Sequence, residues 1–267
     1  MPFILQIFQL AVLAGVLGID ATAALQVLLS RPMVAGGLTG MLLGDSGAGL
    51  ATGSLVELLW MGGVPVGSVV PPDGTLASIF AAAAAVLLPQ WLPGIDPLAA
   101  ASLGLLVAVP VGSLGAKIEI MQRRITDKLC RWAEAELAQG RGNALGLAML
   151  GGLGLSFGRS FLATVLVLTV GLPALAQLLS QLPHDGLQAL HWGYWLAWLL
   201  GLAVAADYFW ERRSLKYLGA ALILVAVAGS RPGIGQVQLL GLALGLALLG
   251  GLWRWRGAWL ESQEGGE

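Results

Sequence analysis

The chain has 267 residues, 57% of them hydrophobic and 11% charged, with a formal net charge of −1. Soluble domains carry about 25% charged residues, so the composition argues strongly against a soluble enzyme, and the near-neutral charge indicates no nucleic-acid partner. A mean hydropathy of +0.82 and apolar runs of about 15 to 25 residues from end to end predict an all-α, polytopic helical membrane protein. The strand-period alternation of an outer-membrane barrel is absent. The single Cys130 rules out an intrachain disulfide. The opening MPFILQIFQL has no basic n-region, so the first apolar segment is expected to stay in the mature protein.

In chain order, residues 3–19 predict a first helix. Helix formers continue from Asp20 to Leu29 and stop at Ser30-Arg31-Pro32, because the residue before a proline disfavours helix. Met33–Leu43 is a short glycine-rich run ending at Gly44-Asp45, and Leu50–Met61 is a second short run. Helices of about ten residues do not cross a ~30 Å core, so half-helices or a re-entrant hairpin are expected. Glycines and the Pro65, Pro71 and Pro72 cluster then forbid one unbroken helix through Gly44–Ser78. Broken backbone at membrane depth is tolerated only where protein or a water-filled cavity covers it. That stretch is therefore expected to build a polar site.

Leu76–Leu92 is the next span, leaving the membrane at Gln90-Trp91, since Trp prefers the headgroup level. Pro97–Ala116 follows and leads into residues 117–141, which hold Lys117, Arg123, Arg124, Lys128, Arg131 and Arg141. The positive-inside rule makes this a cytoplasmic basic helical segment, read as a topology signal or as a docking face for a soluble partner. Residues 144–158 are short and glycine-rich. With Arg141 and Arg159 both near the inner face, they are expected to enter and return as a second re-entrant element. An external loop at Pro183–Gly186, a span over Gln188–Ala206, a cytoplasmic loop with Arg212, Arg213 and Lys216, two further apolar runs and an inner-face anchor at Trp253–Arg256 complete the chain. Residues 1–256 are thus read as a single membrane domain and 257–267 as an acidic cytoplasmic tail. Paired interruptions at 33–62 and 144–158 form the pattern of a transporter with a midplane site.

An acid at a membrane helix centre costs about 2.5–3.5 kcal/mol on insertion scales, so Asp45, Glu57 and Asp73 are the substrate-binding candidates. Carboxylates accept hydrogen bonds from several hydroxyls, which suits a sugar, and they also suit cation or proton coupling. Asp45 and Asp73 stand where they can cap helices. Glu57 lies mid-run, where capping is not available, and is the strongest functional candidate. Arg31 is placed to pair with one of these acids, and Asp20 reads equally as a helix-end residue. His184 and His191 are read as interfacial packing residues. No P-loop, nucleophile motif or metal-ligand spacing occurs, so no catalytic residue, cofactor or metal is expected.

The run Arg31-Pro32, Gly40, Gly44-Asp45, Gly49, Gly53, Glu57-Leu58, Gly62, Pro65-Val66-Gly67 and Pro72-Asp73 with Leu76-Ala77-Ser78 resembles the enzyme IIC component of the mannose/fructose/sorbose branch of the bacterial sugar phosphotransferase system. The resemblance is strong over residues 1–120 and collinear to about residue 255. It implies a multi-pass permease subunit in a bacterial inner membrane, carrying a hexose-type sugar by an elevator-like movement. It also implies an oligomeric complex with a second integral subunit, enzyme IID, and phosphate delivered by cytoplasmic enzymes IIA and IIB, with the IIC subunit itself unphosphorylated. The family's sugar site draws on the positions matching Glu57 to Asp73. The chain departs from many sugar-transporting members at Gly63-Val64-Pro65, which offers few hydrogen-bonding groups. A non-transporting scaffold with a regulatory phosphotransferase role is the alternative.

Overall fold

The computed structural model describes residues 2–24, 26–61 and 70–208. Among them every regular element is a helix: α1 (Phe3–Thr22), α2 (Pro32–Leu43), α3 (Ser46–Trp60), α4 (Gly74–Trp91), α5 (Pro97–Ala138), α6 (Ala144–Gln181) and α7 (His184–Tyr208). The expectations for residues 209–267 and for the Gly63–Pro65 stretch lie outside the described residues. α1, α4, α5, α6 and α7 are long and apolar enough to cross a membrane, whereas α2 is a shorter apolar helix. This is the architecture of a multi-pass integral membrane protein.

α4 is the central helix. Ile79, Phe80, Ala81, Ala82, Ala83, Ala84, Leu87 and Leu88 are all no more than 1% exposed, and α1, α2, α3, α5 and α6 pack around it. Lipid offers helices no hydrophobic drive to associate, so close van der Waals fit must hold them. The alanine run supplies a thin surface for that fit. A Cβ on Gly104 of α5 would stand 2.7 Å from the Ala84 Cβ, and one on Gly171 of α6 would stand 2.6 Å from the Phe80 ring.

α2 and α3 form an antiparallel hairpin. At 1.5 Å per residue they are about 18 and 22 Å long, short of the ~30 Å core, as the sequence predicts. Gly44 adopts φ +96° to end α2, and Asp45 starts α3 at once, its carboxylate accepting from the Ala48 N–H. The limbs meet through Gly36 and Gly40 on one side and Gly49 and Gly53 on the other. A Cβ on Gly49 would lie 2.5 Å from both the Gly36 carbonyl oxygen and the Gly40 Cα.

Charge orients the molecule. The Phe3 ring packs edge-on against Trp91 with centroids 4.8 Å apart, so the start of α1 and the end of α4 share one membrane face. The opposite face holds the start of α4, where Asp73 N–H donates to the Gly112 carbonyl. Arg31, Lys117, Arg123, Arg124, Lys128, Arg131, Arg141 and Arg159, which are all the Lys and Arg of the described residues, lie at or beyond this second face. The positive-inside rule makes it cytoplasmic. The α2–α3 hairpin therefore enters from the cytoplasm and points outward.

Two expectations are corrected. α1 stops at Thr22 rather than running toward Ser30, because the Asp20 carboxylate accepts from the Val27 and Ser30 N–H groups at 2.8 and 2.9 Å and folds the connector back on the helix. Residues 144–158 are not re-entrant. They are the first turns of the continuous 38-residue α6, which lies beside the 42-residue α5. At about 57 and 63 Å respectively, both helices overrun the bilayer core. Glycine weakens a helix interior by only about 1 kcal/mol per residue, and no proline interrupts this run. Cβ atoms on Gly146, Gly152, Gly154 and Gly158 would meet nothing within 4 Å.

The glycines thus differ in kind. Gly49→Ala is expected to destabilise the protein by about 1–3 kcal/mol, the usual range for overpacking, whereas Gly152→Ala should stabilise it by up to about 1 kcal/mol. Thermal unfolding of the two variants in detergent checks the opposite signs.

Candidate functional site

The site is built around the inner end of α2. Its N-cap residue, Arg31, supplies no side-chain cap, so the first amides of the helix lack partners inside a membrane protein. Glu57 reaches across from α3. Its Oε2 accepts from the Met33 N–H at 3.3 Å and its Oε1 from Arg31 Nη1 at 3.1 Å. Glu57 therefore caps the neighbouring helix, where a carboxylate is also favoured by the helix dipole. This corrects the view that a mid-run acid has no capping role. The anticipated pairing of Arg31 with one of the acids is present, with Arg31 59% exposed and Glu57 23% exposed. The first two turns of α4 add two hydroxyls. Thr75 donates to the Ser30 carbonyl and Ser78 to the Pro32 carbonyl, each at 2.5 Å. A Cβ on Gly74 would stand 2.9 Å from Pro32 Cγ.

Asp73 faces the other way. Its carboxylate caps α4 by accepting from the Leu76 N–H at 2.9 Å, and its backbone is tied to α5 at Gly112. A Cβ on Gly115 would lie 2.5 Å from the Asp73 Cβ. A cavity of ≈ 10 Å³, about the room of one water, lies here between Asp73, Thr75, Arg159, Ser160 and Thr164. The Arg159 side chain is only 6% exposed and donates to Glu119 Oε2 at 3.1 Å. Glu119 Oε1 in turn accepts from Arg123 Nη2 at 2.6 Å. Among the described residues, Arg159 Nε and Thr164 Oγ1 have no partner. Sequence reasoning missed Arg159 and Glu119 as a pair, and the signal was a lone arginine in an otherwise apolar run.

Asp45 is elsewhere. Twelve residues of helix separate it from Glu57, about 18 Å. It borders a cavity of ≈ 290 Å³ at the outer end of the hairpin, with Thr52, Val86, Gln90, Leu98 and Tyr194. Beside the cavity, Asp96 caps α5 through the Leu98 N–H at 3.1 Å, and its Oδ2 lies 2.5 Å from His191 Nδ1 on α7. His191 also packs edge-on against Trp192, with centroids 5.6 Å apart, so its interfacial packing comes with an acid partner. The structure therefore joins Arg31 to Glu57, sets Asp73 on the α5–α6 side of the same α4 turn, and separates Asp45 from all three. Among the described residues no group of His, Cys, Asp and Glu forms a metal site.

A buried charge left without its partner is expensive. Glu119→Gln, which strands Arg159, is expected to cost about 3–5 kcal/mol. Glu136→Gln, which removes the partner of the half-exposed Arg141, should cost no more than about 1 kcal/mol. Denaturation of the two purified variants checks the difference.

The family described as the PTS system sorbose-specific IIC component matches residues 4–249. The N-acetylgalactosamine permease IIC component 1 of Escherichia coli K12 is 40% identical over 102 residues, 38% of this chain and 36% of that protein. The chain covers 62% of a second relative from the same organism, so it spans under two thirds of both. The PTS sorbose-specific EIIC component of Klebsiella pneumoniae is 25% identical over 220 residues, 82% of this chain and 78% of that one. A solved structure of the mannose transporter ManYZ in complex with microcin E492 shares the fold, with a TM-score of 0.55 and 23% identity over 92% of this chain and 94% of its own.

Proposed function

This chain belongs to the sorbose-specific IIC family of phosphotransferase-system components, and on that premise we propose that it is the membrane permease subunit translocating a hexose-type sugar that partner subunits phosphorylate. The observation that carries the reading is the family match over residues 4–249, which takes in the described helices but for the first residue of α1. The relatives named for sorbose and N-acetylgalactosamine support a hexose or an N-acetylated hexosamine as the cargo class.

The chain contributes passage and not phosphoryl transfer. His191 is engaged with Asp96 at the outer end, away from the basic face where a cytoplasmic donor docks. Enzyme IIB, charged by IIA, supplies the phosphate from that side, and an integral IID subunit completes the complex. Glu57 and Arg31 serve the sugar at the inner end, and Asp73 supports them from the other side of the α4 start, which it caps. Each carboxylate oxygen of Glu57 accepts one hydrogen bond already and keeps a further lone pair for a sugar hydroxyl. Arg31 holds the carboxylate in place while its exposed edge faces the cytoplasmic side. Asp45 serves the sugar at the outer end. The glycines of α5 at 104, 112 and 115 let α4 lie close to it, which suits an elevator-like slide of the hairpin and α4 along the long α5–α6 pair. Relatives named as permeases favour this reading over a non-transporting regulatory scaffold.

Glu57→Ala is expected to abolish sugar uptake by cells while the subunit still co-purifies with its IID partner. Glu57→Gln, which keeps an acceptor for the Met33 N–H, should fold normally and retain a fraction of the rate. Wild-type uptake by a well-expressed Glu57→Ala protein would refute the site assignment.

A further inference from the structure

We propose that the outer cavity is a second sugar station, one that admits the neutral sugar from outside and refuses its phosphate ester, with Asp45 as the discriminating residue. The proposal rests on the permease reading above.

The cavity has the size and the lining for it. Its ≈ 290 Å³ falls at the small end of ligand pockets, where a single sugar ring belongs. The lining is mixed: Ala85, Val86, Pro89 and Leu98 are apolar, and Asp45, Thr52, Gln90 and Tyr194 bring polar groups. A pyranose has the same mixed character, with C–H groups on its ring faces and hydroxyls around its edge. The polar groups are free to meet it. Asp45 Oδ1 accepts from the Ala48 N–H, and Oδ2 has no partner among the described residues. The Thr52 hydroxyl donates to the Ala48 carbonyl at 2.8 Å, which leaves its oxygen as an acceptor.

Charge sets what is refused. Among the described residues, Asp45 is the only ionisable carboxylate or base lining the cavity, and Asp96 stands at its rim. All Lys and Arg of the described residues lie at the other membrane face. A phosphate ester is thus repelled at the outer mouth and attracted at the inner one. The station takes the substrate and excludes the product, so leakage back to the outside is opposed at its last stage, before release.

The test uses right-side-out vesicles carrying the whole complex with IIA and IIB inside. The probes are glucose, mannose, galactose and their N-acetylamino forms, and the 6-phosphate of whichever is taken up serves as external competitor. Asn remains a good N-cap, so Asp45→Asn keeps the fold. The expected result is a rise in KM of about tenfold, the loss of one charge-assisted hydrogen bond, with the maximal rate held within about twofold. The external 6-phosphate should inhibit Asp45→Asn competitively and leave the wild type untouched. Glu57→Gln should lower the maximal rate without admitting the ester. Wild-type KM in Asp45→Asn, or a changed KM with no gained inhibition, overturns the station while the permease reading stands. Absence of uptake of every probe by the wild-type complex overturns both.

Discussion

A helix that begins inside a bilayer leaves N–H groups that water cannot reach. Among the described residues, four helix starts meet their unpaired amides with an acid. Asp45 caps α3, Asp73 caps α4 and Asp96 caps α5 from their own chain positions. α2 has no such residue at its start and borrows Glu57 from the next helix. The acids that make the membrane domain look chemically active are thus first a condition of its folding. Any substrate role is added to groups already held in place, and for that reason they are preorganised.

The same economy governs the packing. Small residues let backbones approach closely, and they concentrate where elements must cross. Gly36, Gly40, Gly49 and Gly53 zip the hairpin, and the alanines of α4 carry the hairpin on one side and α5 on the other. The inner end of the hairpin is bound by Arg31, Thr75, Ser78 and Asp20, whereas its tip carries the Asp45 cap and borders open volume. One end is fixed and the other is hollow, which is the asymmetry a carrier needs between an anchored base and an accessible mouth.

Much of this was legible in the sequence. Pro32, Gly44-Asp45 and the shortness of the apolar runs mark α2 and α3, since chain length against bilayer thickness is a strong constraint. Asp45 and Asp73 read as caps because the residues after them begin apolar helical runs. The continuity of α6 was not legible. Its glycines weaken a helix locally, but no competing partner exists for a broken backbone there, and the tertiary setting decides. The pairs Glu119–Arg159 and Asp96–His191 are separated by 40 and 95 residues, and local spacing carries no signal at that range. The second function of Glu57 was hidden for the same reason, because its amide partner belongs to another helix.

The hairpin has a consequence for how the polypeptide is made. Neither limb is long enough to be released into lipid by its own hydropathy as it emerges from the ribosome, and its glycine faces have no lipid-like surface to offer. The slot it fills is lined by α4, which is synthesised later. The hairpin must wait at the cytoplasmic surface and be admitted afterwards, so the order of biogenesis is not the order of translation.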